Sequence, residues 1–592
     1  MKKALFIALA LTATSASAAP FVYPAAWTAE QNTANKRGGE LRLSVLSDFK
    51  TINPFTSAEA DSIPGTMVEN GEFGSASLFL QDPRNDEFLP YMADAKPVVS
   101  NNGKRFVVKI RPGMKFSDGQ AITADDWITT WKIHTDDKVG SNSFDNFFLN
   151  KKPITIKKID NLTLQFDFPQ VSSTAYGRMS FAPWPDHVFG KAYREGGADA
   201  IKKLWTLGTP ASQIVSPGMW VLESYRAGER SVFTKNPYWG EWNKDSRGNA
   251  LPYLDKLSYR VTNDANATLA AFLAGQIDQA PMRNADDLAQ TKRAIDGGTL
   301  KATLLPNVSP QAQSSWITFN WNKSAEPAQQ KLFRDVRFRR AMSHIANRKA
   351  MVDLALGGLG VETYSSVYPV FRQQIAAGTA AGAPRYPYNL AEASKLLAQI
   401  GYTKKNAQGY LVDKAGKVLE FNLSTNAGNT VREQLGRIFA DEAKKVGVKV
   451  NFTPIDFNNL VNQLTSKGEN RPFDAILLGL SGGGNVWSFG TNVTPCGGNL
   501  HSYNNPTNGA CLTPQESLMT KLYYQGDAEL DDAKRRAIGG QLMKVEGELQ
   551  PVIYLVGGNY HVAYNERLGG EFARNMMDAF YGSRMWALSF IK

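Results

Sequence analysis

Gly103 to Trp131 reads GKRFVVKIRPGMKFSDGQAITADDWITTW. Its punctuation spells out a strand, two turns and a helix in that order. Phe106, Val108 and Ile110 alternate with Val107, Lys109 and Arg111, so one face is apolar and the other largely charged. Pro112 has no N–H to donate to a ladder and Gly113 tolerates positive φ, so Arg111-Pro112-Gly113 ends the strand. A second turn follows at Ser117-Asp118-Gly119. Thr123 stands where an N-cap belongs, with Asp126 three residues on, a variant of the capping box. Trp127 and Trp131 then fall on one helical face. Periodicity alone makes this a strand–turn–helix of any α/β protein; the order of its unusual residues is more specific.

The chain has 592 residues, more than one core needs, so two or three domains are expected. Hydrophobic residues make up 43% and charged residues 20%, the balance of a globular protein rather than a disordered one. Met1-Lys2-Lys3, the apolar run Ala4 to Ala13 and the small residues Ser15 to Ala19 read as a secretory signal, with cleavage near Ala18 or Ala19. An apolar core of about ten residues falls short of the roughly 20 that span a bilayer. No cysteine follows the signal, so a lipid anchor is excluded and a free periplasmic protein is expected. Loss of Lys2 and Lys3 takes the net charge from +11 to +9. The basic residues are scattered, with no arginine-rich tract, which together with export excludes nucleic acid as a partner.

Two cysteines, Cys496 and Cys511, are expected to form one disulfide in an oxidising compartment. The other reading, a metal pair, lacks ligands. His134, His187, His344, His501 and His561 form no H-E-x-x-H, and there is no C-x-x-C. Neither a metal nor a cofactor is expected; no Walker loop or dinucleotide fingerprint occurs.

Further punctuation recurs along the chain. Gly38-Gly39 opens an alternating strand, Glu40 to Val45, and Asn53-Pro54-Phe55 breaks it; the Ala-, Thr- and Asn-rich Phe21 to Lys36 reads as a loose lead-in. Ser216-Pro217-Gly218-Met219-Trp220, Asn236-Pro237-Tyr238-Trp239 and Ala274-Gly275-Gln276-Ile277-Asp278 follow. Phe333 to Ala341, FRDVRFRRA, opens a helix whose arginines are expected to anchor it by ion pairs. Tyr388 to Tyr402 and Arg432 to Val446 are amphipathic helices, and Phe473 to Gly479 is a buried strand.

The run G-M-K-F-S-D-G then T-A-D-D-W, with these motifs in this order from Gly38 to about Tyr564, resembles the extracellular solute-binding proteins, family 5. These are the dipeptide- and oligopeptide-binding proteins of ATP-driven importers. The resemblance implies an α/β, two-lobed periplasmic-binding-protein fold of type II, cluster C, with an extra domain inserted in the first lobe. After a signal at 1–19 and a lead-in at 20–36, lobe one is expected at 37–65, 190–306 and 555–592. The insertion would span 66–189 and lobe two 307–554, with a two-strand hinge near Ile317 and Val552. It also implies no catalysis, a monomer, a small solute (a peptide or an oligosaccharide) as ligand and a membrane permease as partner.

Peptide-binding members hold the ligand's ammonium with an Asp just after the strand that matches Phe473 to Gly479. Here that loop, Ser481 to Trp487, has no acid. Dipeptide binders hold the carboxylate with an Arg after the strand matching Phe421 to Ser424; here Thr425 to Asn429 carries none before the helix. A buried unpaired charge costs several kcal/mol, so these losses count against short zwitterionic peptides. Asn426, Asn429, Asn485, Trp487 and Phe489 can instead hydrogen-bond hydroxyls and stack on a sugar face, unless Trp487 is core. Thr56 and Ser57, in the loop after Asn53-Pro54-Phe55, and Trp220, either core or cleft, complete the candidate ligand residues.

A different class is also written here. Gly479-Leu480-Ser481-Gly482-Gly483 fits G-x-S-x-G after a strand, so an exported serine hydrolase using Ser481 is the alternative. Against it, Gly482-Gly483-Gly484 is a poor helix start, and no Asp–His pair follows in clear order.

Overall fold

The computed structural model describes residues 19–28, 37–46, 48, 51–56, 76–85, 87–141, 143–283, 285–310, 313–366, 383–481, 493–576 and 582–592. The opening stretch folds as its punctuation predicts. Arg105–Lys109 is a strand that buries Phe106 and Val108. Gly113 and Gly119 both take positive φ, 82° and 86°. Helix Ala124–His134 starts from Thr123, and Asp126 accepts the Thr123 amide at 2.7 Å, completing the capping box. Trp127 and Trp131 anchor the helix by donating their indole N–H groups to the Phe181 and Ile154 carbonyls.

These residues belong to an antiparallel sheet ordered Val98–Ser100, Arg105–Lys109, Thr163–Asp167, Thr155–Asp160. A second sheet, ordered Trp220–Arg226, Arg230–Lys235, Lys256–Val261, Glu40–Val45, joins Glu40–Val45 in parallel to a strand more than two hundred residues later. The two sheets share one apolar core, which runs from Phe21 to Tyr259 and takes in Val562 to Phe590 from the other end of the chain. A five-stranded sheet, ordered Lys449–Ile455, Glu420–Asn426, Ala475–Ser481, Gln313–Phe319, Val552–Tyr554, carries a second core built from Trp316 to Val556. Between them, Gln279–Met282, Val556–Asn565 and Ala302–Pro310 form a further sheet. Ala302–Pro310 leads into Gln313–Phe319 and Val552–Tyr554 into Val556–Asn565, so these two connections join the sheets, and Gly360–Glu362 also pairs with Val556–Asn565.

The unusual residues of the opening motif turn out to be internal fasteners. Ser117 Oγ accepts the Ser216 amide at 3.0 Å, and the Ser117 amide returns to the Ser216 carbonyl at 3.0 Å. A Cβ on Gly119 would lie 2.8 Å from the Tyr238 hydroxyl, so only glycine lets Asn236-Pro237-Tyr238-Trp239 dock there. Lys115 sits 4.9 Å above the Tyr238 ring. His187 is structural as well, its Nε2 2.8 Å from Asp118 Oδ2.

Four local expectations need correction. Phe21 to Thr28 is no loose lead-in. Phe21–Val22 pairs in parallel with Asn243–Lys244, and Phe21, Tyr23 and Trp27 are buried against Tyr91 and Phe572. Aromatic burial there outweighs the polar composition of the residues after it. The helix expected from Phe333 onward is broken at Asp335, which caps Val336–Ile345 by accepting the Arg337 amide. Arg337 forms the expected ion pair, with Asp335 at 2.6 Å, but the buried Arg339 forms none among the described residues. Arg339 donates to the carbonyls of Leu549, Gln550 and Phe333 and lies 4.3 Å over Trp321. It thereby caps the carbonyl end of helix Asp532–Leu549. The strand expected at Phe473 to Gly479 runs two residues later, Ala475–Ser481.

Candidate functional site

Lys449–Ile455, Glu420–Asn426 and Ala475–Ser481 run parallel, so their carboxyl ends lie side by side. Ligands of open α/β sheets bind beyond such ends. The crossing points sit at the same edge, because Gln313 pairs with Ser481 and Tyr554 with Trp316.

The loop that leaves Asn426 is built by short-range hydrogen bonds. Gly428 takes φ 82° and donates its amide to Glu433 Oε1 at 3.0 Å. Asn429 is the N-cap of helix Thr430–Val446, its Oδ1 accepting the Arg432 amide at 3.0 Å. The Arg432 side chain then turns back, and its Nη1 donates to Asn426 Oδ1 at 2.9 Å. Asn426 is buried at 7% exposure. Sequence reasoning found no arginine before this helix because it began the helix at Arg432. The helix begins at Thr430, which places Arg432 in the first turn, within reach of the strand end. Asn429, a strong N-cap residue, was the signal for that earlier start.

The opposite wall comes from the head of helix Ala265–Leu273. Asp264 caps it by accepting the Ala267 amide at 2.7 Å, and Asn263 before it takes φ 62°. A Cβ on Gly428 would lie 2.6 Å from the Asn263 carbonyl oxygen, so the two backbones touch only because residue 428 is glycine. The Ala265 amide approaches the Gly428 carbonyl at 3.4 Å.

The remaining candidates are dispersed. Thr56 is half-buried beside Phe55, which packs on His134 and Phe189 at 4.7 and 4.9 Å. Trp220 opens strand Trp220–Arg226, is fully buried in the first core, and its Nε1 has no hydrogen-bond partner among the described residues. No described hydrogen bond joins Thr56 or Trp220 to Asn426. Ser57, Asn485, Trp487 and Phe489 lie outside the described residues.

Cys496 and Cys511 form a disulfide, with Cα atoms 5.3 Å apart. Cys496, His501 and Glu516 cluster within reach of one point, but the sulfur is spent in that bond, so no thiolate is offered to a metal. His501 and Glu516 are a buried structural pair. His501 Nδ1 lies 2.8 Å from the Val493 carbonyl and Nε2 3.4 Å from Glu516 Oε1. Burial pushes the Glu516 carboxyl up, yet the donors His501, Asn504 and Thr513 bring it below the ordinary range. Glu516 also accepts the Thr513 amide, so it is occupied in capping helix Pro514–Asp527.

Comparison with known proteins agrees with this architecture. The family model for bacterial extracellular solute-binding proteins, family 5 Middle, matches residues 87–499. A probable ABC transporter-binding protein of Deinococcus radiodurans is 45% identical over 607 positions, spanning 100% of both chains. The oligopeptide-binding protein AppA of Bacillus subtilis is 25% identical over 566 residues, 93% of this chain and 92% of AppA. Its structure in complex with a nonapeptide superposes with a TM-score of 0.76 at 21% identity, over 94% of this chain and 99% of that one. The periplasmic binding protein MelB of Agrobacterium fabrum C58, solved with stachyose, superposes with a TM-score of 0.79 at 22% identity, over 97% of this chain and 87% of MelB. These matches are to solute-binding proteins and lend no support to the alternative reading of Ser481 as a hydrolase nucleophile. With a two-lobed α/β architecture of the type II periplasmic binding proteins, the chain belongs to the bacterial extracellular solute-binding proteins, family 5.

Proposed function

We propose that this protein is the exported, non-catalytic binding component of an ABC-type importer. It captures a peptide- or oligosaccharide-class solute between its lobes and delivers it, as a monomer, to a membrane permease. Lobe one comprises 37–65, 190–306 and 555–592, the inserted domain 66–189, and lobe two 307–554. Residues 1–19 are removed on export. Among the described residues no helix is long and apolar enough to cross a membrane.

The observation that carries this reading is the meeting of Gly428 with Asn263. The carboxyl-end loop of one sheet touches the head of a helix that follows the other, close to both chain crossings. A solute seated there contacts both lobes only when they are shut. Its differential affinity for the shut form is what drives closure.

Asn426 at the strand end suits a longer peptide gripped through hydrogen bonds to its backbone. That is also the class in the AppA complex. The oligosaccharide alternative has the MelB complex behind it, and the amide donors of Asn426. Native mass spectrometry of protein purified from its host decides between them by the mass of the retained solute. A peptide ladder supports the first, a hexose series the second. Solute-free protein whose tryptophan fluorescence answers neither peptides nor glycans refutes both.

A further inference from the structure

The two lobes meet at a second place, far along the chain from the Gly428 contact. Helix Pro514–Asp527 follows the disulfide loop, and its last residue, Asp527, is fully buried. A carboxylate at a helix C-terminus faces the negative end of the helix dipole, so its own helix does not stabilise it. Among the described residues, its side-chain partners come instead from residues 172–178 of the inserted domain. Ser172 Oγ donates to Oδ2 at 2.9 Å and Thr174 Oγ1 to Oδ1 at 2.6 Å. The Ser173 amide donates to the Asp527 carbonyl at 2.6 Å. Arg178, itself buried, brings Nη2 to 3.9 Å from Oδ1 and steadies Thr174 through Nε at 2.9 Å. The contact is broader than one residue. Gln170 Nε2 reaches the Tyr524 carbonyl at 3.4 Å, and Asp145 accepts the amide of Asn499, inside the Cys496–Cys511 loop, at 3.3 Å.

From this we infer that Asp527, gripped by Ser172, Thr174 and Arg178, is a latch that holds the inserted domain against lobe two, and so sets solute affinity without touching solute. The inference rests on the two-lobed capture reading above. When the lobes are shut the carboxylate exchanges water for two hydroxyl donors and a guanidinium. When they part, it returns to water at an unfavourable helix end. The disulfide loop and helix Pro514–Asp527 form the plate on which the latch closes, which gives Cys496–Cys511 a role in presenting a docking face.

The test uses the full mature chain. Its cysteines are paired, so introduced thiols alone take label. Spin labels at exposed Lys157 in the inserted domain and Lys534 in lobe two report the separation across the contact. We expect the wild type to show a dominant short distance. Asp527→Ala, and independently Ser172→Ala with Thr174→Val, should shift the closed-to-open ratio by roughly tenfold, the scale set by losing charge-assisted hydrogen bonds. The double variant leaves the lobe-two core untouched, and unchanged circular dichroism in both variants certifies folding. If the wild type samples two distances and neither variant alters their proportions, the latch is wrong while capture by closure stands. If one distance persists in all variants, with and without retained solute, both the latch and the capture mechanism fall.

Discussion

His134 gives a sharp, ligand-free test of how the first apolar core is assembled. It ends helix Ala124–His134 and is 4% exposed. Its ring lies 4.7 Å from Phe55 and 5.7 Å from Phe147, and its Nδ1 is 2.6 Å from Ser141 Oγ. Among the described residues no carboxylate pairs with it, and burial pushes its pKa from 6.5 down to about 3. A histidine held neutral in the fold binds protons only when unfolded. Its contribution to stability is therefore fully present above pH 6.5 and is lost as pH falls from 6.5 toward 3. One pKa unit is worth about 1.36 kcal/mol, so lowering pH from 7 to 5 removes about 2 kcal/mol, and a fall to pH 3 about 4 to 5 kcal/mol. His134→Phe keeps the aromatic stack and abolishes the titration. Urea unfolding at pH 5, 6, 7 and 8 should show the wild type losing that 2 kcal/mol between pH 7 and 5 relative to the variant. Parallel profiles for the two proteins, or a native His134 resonance titrating near pH 6.5, would refute the argument.

Four further outcomes follow from other contacts. Gly428→Ala places a methyl 2.6 Å from the Asn263 oxygen at a φ of 82°, so it should strain the loop by about 1 to 2 kcal/mol and hold the lobes ajar. Native mass spectrometry should then find less retained solute than in the wild type. Arg339→Met leaves the carbonyls of Phe333, Leu549 and Gln550 without their donor and should cost about 3 to 5 kcal/mol in urea unfolding; a loss under 1 kcal/mol would contradict the capping role. Burial raises the Asp126 carboxyl to about 6, against the amides of Asp186 and Thr123 that pull it down. Stability from its protonated form is present below about pH 4 and lost as pH rises through 6, a change of about 3 kcal/mol that Asp126→Asn should flatten. Replacing Cys496 and Cys511 together by Ser opens a loop with ends 15 residues apart and should lower unfolding stability by about 3 kcal/mol, read by the same assay.

Much of the fold was legible because local chemistry and tertiary structure agree. Arg105–Lys109 follows its alternation, Ala124–His134 its cap, and Leu390–Gln399 its apolar stripe with Asn389 as N-cap and Gly401 at φ 102° beyond its end. What escaped the sequence is non-local. Phe21, Tyr23 and Trp27 precede a polar stretch in the sequence, and their packing on Tyr91 and Phe572 is what orders them. Arg339, in a run expected to form ion pairs, is buried, and so are Arg348 and Arg471. Carbonyls supply their partners: Leu549 for Arg339, Tyr554 for Arg348, Ser502 for Arg471. A backbone carbonyl has no letter in the sequence, so a charge satisfied by carbonyls cannot be told from a solvated one. Arg432 was missed for a smaller reason, a helix start displaced by two residues.

The same logic explains why the motifs named the family but not the ligand. Ser117 is bonded to Ser216, Gly119 makes room for Tyr238, and Asp118 holds His187. All of these contacts lie among residues 117 to 238. They are costly to alter, because each glycine or short polar residue is fixed by a partner about a hundred residues away. A motif of that kind is a record of assembly. Solute choice is expected to rest instead on loops at strand ends, such as Thr425 to Asn429, whose side-chain hydrogen bonds are mostly local, Gly428 to Glu433 and Asn429 to Arg432. It follows that exchanging this loop, with Gly428 kept, for that of a peptide-binding relative should change which solute is retained and leave the unfolding midpoint nearly where it was. Exchanging Met114 to Gly119 should do the reverse.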